Sequence, residues 1–231
     1  MMKTAMKKSL LLIGCGSLAV ALFVNARVLR PAETEFVPLN HAVVYNAGAD
    51  TLTWSADPAH SMLKFVAVYM GISEIEGKFN LYNGKMSYTK PDMSDAKIQF
   101  VADVKSIDTD NEQRDTHLKS EVFFAADRHP KMVFKSTSFT PQDKENKKYK
   151  LTGKLTIRDV TKDVTFDVVY GGTGIDSYGN TKAGFKATTK INRKDFGLAW
   201  DTVTEGVAVV GDEITIVCNI QMKKDKDKTK K

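Results

Sequence analysis

"YKLTGKLTI" (149–157) and "VTFDVVY" (164–170) decide the fold class. In the first, Tyr149, Leu151, Leu155 and Ile157 alternate with Lys150, Thr152, Lys154 and Thr156. In the second, Val164, Phe166, Val168 and Tyr170 fall on one side. A period of two with one polar face is the pattern of an antiparallel sheet that is wet on one side and packed on the other.

The same rhythm extends outward from this pair. "AKIQFVADVKSI" puts Ile98, Phe100, Ala102 and Val104 on one face, against Lys97, Gln99, Asp103 and Lys105. "AGFKATTKIN" groups Phe185, Ala187, Thr189 and Ile191, and "EITIVCNIQM" groups Ile214, Ile216, Cys218 and Ile220. Further strands are expected at 51–57, 61–70, 75–89 and 131–140, about eight or nine in all. Turn-forming clusters separate them at 82–85, 90–95, 142–147 and 172–180. So many strands with almost no helix between them predict an all-β, antiparallel barrel or a sandwich. Gly77, Gly84, Gly153, Gly184 and Gly197 beside the strand patterns read as bulges or bends where a barrel turns a corner. A barrel of about eight strands is just wide enough for one small ligand.

The ends of the chain differ from this body. Residues 1–26 carry Lys3, Lys7 and Lys8, an apolar run from Leu10 to Val24, and small residues around Ala26, as a secretory signal does. Left uncleaved, the segment would be a membrane anchor. "LIGC" at 12–15 resembles a lipobox, but the apolar run continues past Cys15, which therefore belongs to the signal core. Residues 27–50 lack a clear period and read as a linker. Once 1–26 is removed, Cys218 is the only cysteine left, so no intramolecular disulfide supports the domain.

The net charge of +6 hints at nucleic acid until it is counted by segment. Three lysines and no acids lie in 1–26, and six lysines with two aspartates lie in the tail 223–231, which leaves 27–222 at −1. A nearly neutral body lacks a nucleic-acid footprint. The tail is expected to be disordered, a solubilising end before it is a contact for anionic lipid headgroups.

One stretch breaks the strand rhythm: 107–130, containing "NEQRDTHLKSEVFF" (111–124). Asp110 is the expected N-cap, with Gln113 completing a capping-box-like pair, for a helix over about 111–120. Arg114 and His117 share a face, and Asp115 sits one turn before Lys119. Either this is a solvated surface helix with Phe123 and Phe124 plugging the core, or it is a lid. As a lid it presents Arg114, Asp115 and His117 to a polar or anionic head group, and the phenylalanines to an apolar tail.

Other candidates carry less. Asp57, His60 and Ser61 are too close in sequence to take up a hydrolase triad's geometry easily, and a hydrogen-bonding role at the strand start fits them better. His41, His60, His117 and His129 have no metal-ligand spacing, so no metal site is expected. Arg193 and Asp195 read as a pair pinning a corner.

The segments 57–79, 106–124, 129–139, 151–170, 183–201 and 211–220, taken in that order, resemble the YceI-like family of lipocalin-like, polyisoprenoid-binding proteins. The resemblance spans about 51–222. It implies an extended lipocalin-like β-barrel of about eight strands with a short helical lid near 107–130, a periplasmic location, and no established catalytic activity. It also implies binding, storage or transport of a long isoprenoid, such as a polyprenyl phosphate or an isoprenoid quinone, in an apolar channel, and no cofactor beyond that ligand. Phe65, Tyr69, Phe100, Phe123, Phe124, Phe134, Phe166 and Phe185 are the channel candidates, although inward phenylalanines fit plain core packing equally well. Tyr69 departs from the His that the family often has before Met-Gly. An enzyme acting on an isoprenoid diphosphate through His117 and Arg114, or a ligand-free interaction module with a filled core, are the competing readings.

Overall fold

The computed structural model describes residues 51–145, 147–201, 203–204 and 207–226. The expected signal segment, linker and last tail residues lie outside them. In chain order the strands are β1 (Leu52–Ala56), β2 (Met62–Tyr69), β3 (Ser73–Phe79), β4 (Tyr82–Tyr88), β5 (Lys97–Asp103) and β6 (Ile107–Asp108). After helix α1 (Glu112–Lys119) come β7 (Lys131–Asp143), β8 (Lys148–Ile157), β9 (Val160–Ile175), β10 (Thr181–Asn192), β11 (Val203–Thr204), β12 (Val207–Ala208) and β13 (Val210–Lys224).

β1, β4, β5, β7, β8, β9, β10 and β13 form a closed ring of eight antiparallel strands, sealed where Trp54 faces Lys224 and Ala56 faces Met222. β2, β3 and β6 continue the staves begun by β1, β4 and β5. Each of these three staves breaks once: at the 3-10 turn Pro58–His60, at Asn80–Leu81, and at the 3-10 turn Val104–Ser106. The breaks satisfy one another. Asn80 N–H donates to the Ser106 carbonyl, Leu81 N–H to Ser106 Oγ, and Asp103 N–H to the Leu81 carbonyl. The single strand expected over 75–89 is therefore two, bent at a shared corner.

Read this way, the eight staves run up and down in chain order. One end gathers the turn after Tyr69, the α1 segment, the β8–β9 hairpin and the loop after Asn192. The other gathers both ends of the described chain and the loops at 89–96, 144–147 and 176–180.

That second end is filled. Phe139 and Tyr149 stack at 4.6 Å with rings 2° from parallel, Tyr170 stacks on Phe185 at 5.1 Å, and Trp54 lies parallel to Tyr88. Met93 and Ala96, from the connecting loop, are buried beneath them. On the outer wall Asp57 accepts hydrogen bonds from Lys182 Nζ (2.5 Å) and His60 Nδ1 (3.0 Å). The lysine's hydrogen bond, ahead of the histidine's, holds the Asp57 carboxyl at about 2. Ser61 Oγ turns to the backbone carbonyls of Asp57 and Gln221 rather than to His60, so these three side chains act as a clasp between β1, β10 and β13.

Three expectations need correction. The tail does not leave the barrel at 223: β13 runs to Lys224, and Asp225 is held by its N–H to the Thr53 carbonyl and its carboxylate to Ser55 Oγ. Asn111, not Asp110, caps the helix, its side chain accepting from Arg114 N–H, while Asp110 takes φ 58°. An aspartate tolerates that left-handed backbone, and the turn it makes brings Asn111 to the helix end. Arg193 does pin a corner, but its carboxylate partner is Asp212 at 3.1 Å, with Asp201 farther off, instead of Asp195.

Candidate functional site

Between the filled end and α1 the barrel encloses a cavity of about 660 Å³. Its hollowness shows in burial. Phe65, Phe100, Ile216, Cys218 and Ile220 point inward yet are only partly buried, because the space they border is empty. Burial still raises the Cys218 thiol to about 12, so it sits on the wall as a neutral, apolar group.

Every aromatic residue expected in the channel borders this cavity. Three phenylalanines lie flat across glycines. Phe65 faces Gly77 across the β2–β3 ladder, and Phe100 faces Gly84 across β4–β5. A Cβ on Gly77 would come 2.2 Å from the Phe65 ring, and one on Gly84 would come 2.5 Å from the Phe100 ring. Gly153 does the same for Phe134. Gly77 and Gly84 are seats for rings, which corrects their reading as bends; Gly153 and Gly184 do adjoin ladder irregularities, and Gly197 ends a 3-10 turn with φ 72°. Phe166 meets Phe134 edge-on at 5.3 Å. Such pairing holds rings against the wall and leaves the axis open.

The other end carries the lid. α1 has no buried residue of its own and too little apolar surface to be a core helix. The turn after it buries Phe123 and Phe124, with Phe124 edge-on to Phe79. His117 packs against Phe123 and, at 4.9 Å, edge-on against Trp200. Tyr69 stands at the rim, more than a third exposed, beside the exposed Val68 and Ile72.

Arg114 and His117 both border the cavity; Asp115 does not. Expected at the head group, Asp115 instead accepts from Thr109 N–H (3.0 Å) and Thr109 Oγ1 (2.6 Å). Arg114 reaches the same threonine, Nε to Oγ1 at 2.8 Å and Nη2 to the carbonyl at 2.6 Å. Thr109 thus orients the guanidinium, and Arg114 forms no ion pair among the described residues. It is a cation fixed at the mouth of an apolar chamber.

Trp200 and Leu198 also border the cavity and were not singled out as ligand contacts from the sequence. Arg193, only 1% exposed, places them: Nη1 donates to the Leu198 carbonyl at 2.6 Å and to the Trp200 carbonyl at 2.7 Å, while Nε reaches the Gly211 carbonyl. The signal lay in "NRKDFGLAW", where alternation stops while large side chains continue. Among the described residues no group of three or more His, Cys, Asp or Glu side chains is placed to hold a metal.

Comparison with known proteins agrees with this geometry. Residues 54–222 match the family model described as YceI-like domain. A UPF0312 protein of Vibrio parahaemolyticus is 36% identical over 140 residues, covering 61% of this chain and 73% of the relative. The crystal structure of a Campylobacter jejuni YceI protein superposes with a TM-score of 0.58 at 30% identity, covering 67% of this chain and 88% of that one. A domain from Saccharophagus degradans, described as polyisoprenoid binding, shares the fold at a TM-score of 0.52 and 14% identity, covering 75% and 99% of the two chains.

Proposed function

This chain belongs to the YceI-like domain family, and from that premise we propose that it is a periplasmic carrier or reservoir for a long-chain isoprenoid lipid. The observation that carries the proposal is the pairing of an apolar chamber with the fixed guanidinium of Arg114 at its mouth. About 660 Å³ falls within the roughly 300–1,000 Å³ of small-molecule sites. Each CH₂ moved from water to such a wall contributes about 0.8 kcal/mol, so a prenyl chain needs no polar contact to stay.

The lid supplies the polar end. Arg114 gives its Nε hydrogen and one Nη2 hydrogen to Thr109, which leaves the second Nη2 hydrogen and both on Nη1 for a phosphate or quinone oxygen. His117, clasped between Phe123 and Trp200, presents its ring beside those donors and closes the chamber above the chain. The Saccharophagus degradans domain's description names the same ligand class, and the signal-like segment 1–26 supports export.

Organic extraction and mass spectrometry of the protein purified from its native envelope test the reading. A stoichiometric isoprenoid is expected. Lipid-free protein that also fails to take up an isoprenoid quinone or a polyprenyl phosphate would sink it. Turnover of a prenyl diphosphate, lost in His117→Ala, would make the protein an enzyme instead.

A further inference from the structure

Surface turns favour Gly, Pro, Asn, Asp and Ser, residues suited to a tight backbone. Two turns at the mouth break that rule. Met70–Ile72 joins β2 to β3, with Tyr69 facing Ser73 across it. Met70 takes φ 50° and Gly71 φ 72°, a left-handed path uncommon for methionine, and the Ile72 N–H closes it on the Tyr69 carbonyl at 3.1 Å. The result is an isoleucine 84% exposed. The second turn follows α1. Phe123 N–H donates to the Ser120 carbonyl, so Glu121 and Val122 occupy the tip. Phe123 and Phe124 are buried while Val122 stays outside, 57% exposed.

These side chains do not stand alone. Val68 and Tyr69 are each more than a third exposed and also border the cavity, so apolar surface continues from the rim into the chamber. Charge around the second turn is cancelled locally. Glu121 pairs with Arg128, Asp127 with Lys105, and His129 with Asp159, which accounts for every titratable side chain from Glu121 to His129. Protruding apolar side chains among neutralised charges suit the boundary between lipid headgroups and acyl chains. The chamber points to the same occupant. A prenyl chain that leaves by this mouth into water loses the hydrophobic gain of every CH₂, whereas one that leaves into acyl chains loses almost none. The closed end differs. Its loops at 89–96 and 144–147 are charged, and Ile175 and Tyr178, exposed on the β9–β10 hairpin, do not border the cavity.

We propose that the rim docks on a lipid bilayer, with Ile72 and Val122 entering it and the mouth opening onto its acyl chains. The docking deepens the carrier reading and rests on it. It is driven by apolar contact, so it needs no anionic lipid and resists salt. The lysine-rich end of the chain follows β13 at the opposite end of the barrel and takes no part in it.

The test is flotation of the exported, soluble protein with phosphatidylcholine vesicles at low and high salt, with tryptophan emission read against vesicles carrying brominated acyl chains. The chain's two tryptophans mark opposite ends: Trp200 borders the cavity at its mouth, and Trp54 is buried in the filled end. Salt-resistant flotation is expected, with quenching that disappears in Trp200→Phe. Ile72→Ser/Val122→Ser should weaken vesicle binding on the order of tenfold or more, and Ile175→Ser/Tyr178→Ser should leave it unchanged. Binding that needs phosphatidylglycerol and is lost at high salt, or that is lost in the Ile175/Tyr178 variant instead, overturns the proposal. Uptake of an isoprenoid quinone from detergent solution is measured alongside. Uptake that persists without vesicle binding sinks the docking and spares the carrier reading. Vesicle binding through the rim without uptake sinks the carrier reading alone.

Discussion

Around Phe139 and Tyr149 the strands enclose stacked rings, whereas a few residues further along they enclose empty space under a lid. The same staves, with the same alternation, make both. In the filled half, rings from neighbouring strands stack on one another, Phe139 on Tyr149 and Tyr170 on Phe185. In the hollow half, Phe65, Phe100 and Phe134 are pressed onto glycines of their own wall and stop short of the far side. The ring closes at the filled end, where β1 meets β13, and the walls of the mouth are continued by β2, β3 and β6.

The largest test of that contrast is a pair of truncations. Phe139→Ala, a fully buried ring where the filled half meets the cavity, is expected to cost about 3–5 kcal/mol in urea unfolding. Ile216→Ala, on the hollow wall, should cost about 1 kcal/mol, because one side of that residue already lacks contacts. Equal losses would erase the distinction between the halves.

Arg193→Met comes next, at about 3 kcal/mol, since the carbonyls of Leu198 and Trp200 and the carboxylate of Asp212 lose a buried donor. Tryptophan emission should shift to the red as Trp200 leaves His117. Unchanged emission would show that the mouth does not depend on this arginine.

The clasp at Asp57 gives a smaller effect with a defined sign. Its folded carboxyl lies at about 2, below the ordinary 3.8, so its contribution is full above about pH 4 and is lost as pH falls toward 2. The amount is about 2 kcal/mol. Asp57→Asn should flatten the stability–pH curve in that window, and a slope equal to that of the parent would refute the assignment.

Gly77→Ala is the mildest for stability and the sharpest for the hollow. A methyl there meets Thr109 Cγ2 and displaces the Phe65 ring into the cavity, so uptake of a long prenyl chain should fall several-fold at a stability cost of about 1 kcal/mol. Undiminished uptake would place the ligand elsewhere.

These residues also show what a reader of the chain could see. Alternation placed Phe65, Phe100, Phe134, Phe166 and Phe185 inward, and the break at 107–130 marked the lid, because both are written in consecutive side chains. The helix cap missed by one residue, since Asp and Asn both cap well and only the backbone turn chose between them. Gly153 and Gly184 do mark bulges, whereas Gly77 and Gly84 were noticed for the wrong reason, because the ring above each comes from the neighbouring strand. Trp200 was marked only by large side chains continuing where alternation stops, and the carboxylate partner of Arg193 was not legible at all.

The sequence by itself determined an antiparallel β protein with one polar face, one apolar face and a single helical interruption, since a period of two is a local property of the chain. Only the assembled barrel decided the closure and the hollow. Ser55 meets Asp225 across 170 residues to seal the ring, and whether opposite walls touch depends on distances between staves that no single stretch records.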